Sequence, residues 1–90
     1  ARTDVLDRAM IDLLSFYRDV LTTQMGSDVE RVNLDLSDAV DQAARTTSPE
    51  QSLARIAAIE ECRSRLRSNA APLLAVEALM VQLRPQAEGR

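Results

Sequence analysis

The sequence predicts an all-α bundle of four helices, on three observations. Two Gly, three Pro and two aromatic residues in 90 are too few for a sheet-rich small domain, while Ala, Leu, Arg, Glu and Gln are plentiful. Apolar residues recur at three- and four-residue spacing over long stretches of the chain. The breaks between those stretches hold residues that stop and start helices: Gly26, Ser48-Pro49 and Pro72. One bundle over 1–84 is expected, followed by a polar, proline-started, disordered tail over 85–90.

The first helix is expected from Thr3 or Asp4 to Met25, with Leu6, Met10, Leu13, Tyr17, Val20 and Leu21 as its apolar stripe and Gly26 as its stop. Arg8, Asp12, Ser15, Asp19 and Thr22 fall on the other side and read as a solvated face. Arg18 lies at the border of the stripe, where its stem can cover apolar surface while its guanidinium seeks a partner. After a polar connection, Asn33 or Asp35 offers a cap for a short second helix over 36–46, with a thin stripe of Leu36, Ala39, Val40 and Ala43. Ser48-Pro49-Glu50-Gln51 then combines an N-cap Ser, a Pro at the first helical position and a Gln that completes a capping box. The third helix runs from there to Ser68, its stripe of Leu53, Ile56, Ile59 and Leu66 interrupted by Arg63.

The fourth helix, Pro72–Leu83, is the most apolar part of the chain. Leu73, Leu74, Val76, Leu79, Met80, Val81 and Leu83 cover most of its circumference and leave Ala75, Ala78 and Gln82 as a weakly polar strip. A helix apolar nearly all round is expected to be buried. Glu77, alone within that surface, therefore requires a partner, and Arg63 on the preceding helix is the candidate, with Arg18 as a third member. Breaking such a pair inside a core would cost about 3–5 kcal/mol. Its expected role is to fix helix register.

Composition excludes several functions. With no His, one Cys (Cys62) and no glycine-rich phosphate loop, the sequence offers no metal-ligand set, disulfide framework or nucleophile beside a base, and no cofactor is expected. All eleven basic residues are Arg, against fourteen carboxylates. The acids predominate before residue 51 and the arginines after it, which favours attraction between the chain's own helices over a coherent basic field for nucleic acid. Arg63, Arg65 and Arg67 point to different sides of one helix. No run approaches a membrane span, and a cytoplasmic location in a reducing compartment is expected. What is left is packing surface, part of it a candidate for covering by another helix or subunit.

Leu14-Ser15-Phe16-Tyr17-Arg18-Asp19-Val20-Leu21, followed after a turn by Asn33-Leu34-Asp35, resembles the C-terminal domain of the delta-prime subunit of bacterial DNA polymerase III. The later run of Ile59, Arg63, Leu66, Asn69 and Pro72, then Leu74-Ala75-Val76-Glu77-Ala78-Leu79, resembles it as well, and the likeness extends over nearly all of 1–83. The resemblance implies a collar domain: a helical bundle that joins the corresponding domains of the other clamp-loader subunits in a ring, while separate modules handle ATP and the complex places the sliding clamp on primed DNA. It carries over Arg18, Asp19, Arg63, Asn69 and Glu77 as structural ion-pair or capping residues, beside the Ser48 cap read from the sequence. Two departures accompany it. Ala71 stands where the family often has Asn, and family members have helical sequence ahead of the position of Ala1. A missing first collar helix would leave a groove open, and self-association of this piece is the expectation. A free-standing helical adaptor or homodimerisation module is the alternative.

Overall fold

Local chemistry sets the ends of the helices, and tertiary contacts decide which faces turn inward. In a computed structural model that describes residues 2–68 and 71–85, the chain forms α1 (Arg2–Gln24), α2 (Ser37–Thr46), α3 (Pro49–Arg67) and α4 (Pro72–Leu83), with no strand among the described residues. The expected tail lies, past Pro85, outside the described residues. A single 3-10 turn, Leu34–Leu36, leads into α2.

No Gly or Pro interrupts the 23 residues of α1. It ends where Gly26 adopts a φ of 69°, so that the Gly26 N–H reaches the Thr23 carbonyl at 3.1 Å and the Ser27 N–H reaches that of Thr22 at 3.0 Å. These two bonds satisfy carbonyls that a helix end leaves open. A Cβ at residue 26 would meet open space, so glycine is needed for the backbone conformation and not for room. At the start of α3, Ser48 Oγ accepts the Gln51 N–H at 3.1 Å and Gln51 Oε1 accepts the Ser48 N–H at 2.9 Å, with Pro49 at the first helical position. The start of α4 has no side-chain cap: Ala71 supplies only its carbonyl, 3.1 Å from the Ala75 N–H.

The long helices α1 and α3 pack against each other, α4 lies on α3, and α2 lies on α1. One core joins Met10 and Leu14 of α1, Ile59, Cys62 and Leu66 of α3, and Ala75 and Leu79 of α4, closed at its edges by Leu6, Leu13, Tyr17, Ile56, Val76 and Leu83. The molecule measures 38 × 33 × 16 Å, a thickness of no more than two helix layers at the 8–10 Å spacing of packed helices. Each helix therefore keeps an outward face.

Two faces differ from the sequence reading. On α3 the inward residues are Ser52, Ile59, Cys62 and Leu66, while Leu53 is exposed, because the Ser52 hydroxyl finds a partner on α1 and can replace a hydrocarbon side chain there. On α4 the expected all-round burial is not observed. The helix docks through the strip read as weakly polar: Ala75 is buried, Ala78 partly so, and together with Leu79 they close on Ala58 and Cys62, leaving a crevice of only about 20 Å³. Small side chains on both helices permit this approach. Leu73, Leu74, Met80 and Val81 consequently point outward, 70, 66, 58 and 58% exposed.

Because both halves of the capping box are made, Ser48→Ala is expected to lower unfolding stability by about 1 kcal/mol, measured by urea denaturation, with unchanged helix content below the transition.

Candidate functional site

Asp19 is a buried carboxylate with three hydrogen-bond donors around it. It stands on α1 with 3% of its surface exposed, facing the segment that carries the chain from α1 back to α2. Its Oδ1 accepts the Val32 N–H at 3.1 Å; its Oδ2 accepts both the Asn33 N–H and the Asn33 side-chain amide at 2.8 Å. The same amide also donates to Ser15 Oγ at 3.1 Å. Asn33 therefore does not use its side chain as a cap, although it precedes the 3-10 turn. Of the face read as solvated, Arg8 and Asp12 are exposed as expected, whereas the part around Ser15 and Asp19 is covered by backbone, and Asp19 supplies the acceptors that make this covering possible. Burial works most strongly against its charged form. The Asn33 backbone and side-chain donors, the Val32 N–H and the positive charge of Arg31 outweigh it, and the carboxyl is held below the usual carboxylate range.

Two further clasps extend the arrangement. Arg31 donates to the Ser37 carbonyl at 3.2 Å and to Ser37 Oγ at 2.6 Å, and it pairs with Asp41, fastening the connecting segment to α2. Gln24, on the last turn of α1, donates to the carbonyls of Thr47 and Ala44 at 2.8 and 3.3 Å and to Thr47 Oγ1 at 3.1 Å, while its Oε1 accepts the buried Ser52 hydroxyl at 2.8 Å. One amide side chain thus joins the end of α1 to the end of α2 and the first turns of α3. No local pattern in the sequence marks Gln24 for this, since its partners lie 20–28 residues away.

The proposed pairing of Arg63 with Glu77 is not what the structure contains. Arg63 Nε lies 2.9 Å from Asp7 Oδ1 on α1, and Nη2 donates to Asp7 Oδ2 at 3.4 Å. The hydrogen bond to Arg63 holds the Asp7 carboxyl below its ordinary range, and Asp7 in turn raises the Arg63 pKa. Position on the α3 wheel marks Arg63 as facing other helices. Which helix it meets depends on the crossing, and that helix is α1. Glu77 sits on the outward face of α4 in water, without an ion pair among the described residues. Arg18 is exposed and likewise unpaired there. The guanidinium that does contact the aromatic pair is Arg55, 5.6 Å from the centre of the Tyr17 ring, which is itself edge-on to Phe16. Asn69 lies outside the described residues. Ser48 acts only within the α3 cap. Arg65 pairs with Glu61 at 3.0 Å on its own helix, which weakens its use in a basic patch. Cys62 is buried, and burial pushes its thiol up.

Among the described residues, two groups of exposed apolar side chains stand together. The first is the outward face of α4, which continues into an open groove lined by Leu6, Pro72, Leu73 and Val76. The second is formed by Met25, Val29, Val32, Leu34 and Leu36 along the connecting segment, interspersed with Asp28, Glu30 and Asp35. Among the described residues no three His, Cys, Asp or Glu side chains converge as a metal site, and no helix is long and apolar enough to cross a membrane.

Buried polar groups that fasten helices to one another, combined with large side chains turned outward, define a helical module rather than a pocketed one. Residues 4–84 match the family described as DNA polymerase III, delta subunit, C terminal. The chain belongs to this clamp-loader family. No curated protein and no solved structure matches it.

Because the folded pKa of Asp19 is depressed, its contribution to stability is present above the ordinary carboxylate pKa and is lost as pH falls through the folded value. Asp19→Asn is expected to destabilise by about 2 kcal/mol at neutral pH, and the difference from wild type should shrink as pH falls below the ordinary carboxylate range, as followed by urea unfolding at neutral and acidic pH.

Proposed function

We propose that this chain is the collar domain of the delta-prime subunit of a bacterial DNA polymerase III clamp loader. It holds the ring of subunits that places the sliding clamp on primed DNA. The observation that carries the reading is membership of the DNA polymerase III family over residues 4–84, in a chain whose exposed leucines and valines leave surface for other subunits to cover. The string Phe16-Tyr17-Arg18-Asp19 supports delta-prime over the ATP-hydrolysing subunits. In this reading the domain performs no catalysis, needs no cofactor and works in the cytoplasm as part of a polymerase holoenzyme. Its partners are the C-terminal domains of the other clamp-loader subunits, and its acidic balance keeps it off nucleic acid.

The test mixes the full-length protein with the remaining clamp-loader subunits from the same genome and follows the mixture by size-exclusion chromatography with light scattering. Co-elution in a single complex, together with clamp loading that requires the protein, is the expected result. A folded protein that stays apart from those subunits, or elutes only as its own dimer, would overturn the proposal in favour of a free-standing homodimerisation module.

A further inference from the structure

The outward face of α4 has an ordered composition. Leu73 and Val81 lie one turn to either side of Glu77, and Leu74 and Met80 lie at the three-residue spacing, so the carboxylate stands at the centre of four exposed apolar side chains. Glu77 is not needed to fasten α4 to the rest of the molecule, because that contact is made by Ala75, Ala78 and Leu79 on the opposite side. A charge in mid-stripe costs little while the face is in water. Once a partner covers the face, the charge must be matched.

We propose that this face docks a helix of another clamp-loader subunit carrying an arginine between apolar residues, and that Glu77 bars a second copy of this chain from the same surface. The first half rests on the assembly role proposed above; the second does not. One argument favours an unlike partner. In a twofold contact centred on the stripe, each Glu77 would face the other in a water-excluded setting, and a register shifted to separate them would leave half the stripe uncovered. Four side chains expose only on the order of a few hundred Å², short of the roughly 800 Å² per partner of a stable interface. The occupant must therefore extend over the adjoining groove of Leu6, Pro72, Leu73 and Val76. Arginine is the chemistry that fits the centre, because its planar fork meets a carboxylate through two bonds and keeps its charge when desolvated.

The experiment compares the full-length wild type, Glu77→Gln and Glu77→Arg by sedimentation, alone and with the remaining clamp-loader subunits, after circular dichroism has established equal helix content. Alone, wild type is expected to be monomeric and Glu77→Gln to self-associate about a hundredfold more tightly, an effect removed by adding Leu74→Ser and Val81→Ser. With the other subunits, Glu77→Arg should lose about a hundredfold in affinity. The inference is overturned by a Glu77→Gln protein as monomeric as wild type, by self-association that survives the two serines, by a wild-type dimer with α4 protected from hydrogen exchange, or by unimpaired assembly of Glu77→Arg. If wild type itself fails to join the other subunits, the assembly role falls, whereas the self-association comparison still judges the barrier at Glu77.

Discussion

The carboxylate of Asp19 is the point on which the arrangement of the first half of the molecule depends. A connecting segment rich in acids has little reason to lie along a helix that is itself acidic, and its backbone N–H groups would lose water by doing so. Asp19 answers the second problem by accepting from two successive backbone N–H groups and a side-chain amide, and the positive charge of Arg31 beside it offsets the first. With residues 32 and 33 fixed, Arg31 is directed to Ser37 and Asp41, and α2 is brought onto α1 with Val40 buried beneath it. A short helix with one fully buried side chain would have little independent stability. It is held because its two ends are clasped, by Arg31 before and by Gln24 after.

The other half is organised differently. Between α3 and α4 contact is made by small side chains at close range, with Cys62 and Ala58 facing Ala75 and Ala78, and among the described residues no hydrogen bond or ion pair links the two helices. Packing of this kind gains from dispersion between closely fitted surfaces, and it leaves the larger aliphatic side chains of α4 free to face outward. Hydrophobicity and burial have separated: Leu73, Leu74, Met80 and Val81 of the most apolar helix are more than half exposed, while Ala75 is buried. In a domain two layers thick, such residues make sense as surface that another chain completes.

What could be read from the sequence was what local chemistry decides. Gly26 stops α1 because only the backbone conformation at that residue matters, and Ser48 to Gln51 begin α3 because both partners of each bond lie within four residues. The starts of α3 and α4 follow from Pro49 and Pro72 in the same way. The orientation of those helices was less accessible. Counting apolar residues puts Leu53 inside and has no reason to include Ser52, since nothing near Ser52 announces Gln24 as its partner. It paired Arg63 with Glu77 because both are charges on apolar arcs, whereas the helix crossing sets Arg63 against Asp7. Asp19 was assigned to water on its position in the wheel; only the likeness of Tyr17-Arg18-Asp19 and the later Asn33 to a known family marked it as special. Long-range hydrogen bonds to backbone leave no periodic trace.

The unbroken course of α1 has a mechanical consequence. Its first half enters the core shared with α4 through Met10, with Leu6 at the edge, and its second half grips the α2 side through Asp19 and Gln24. Twenty-three residues without Gly or Pro make a rod about 34 Å long with no hinge along it. Any bodies attached at the two edges of this domain would be held at a set distance and bearing by a single stiff strut.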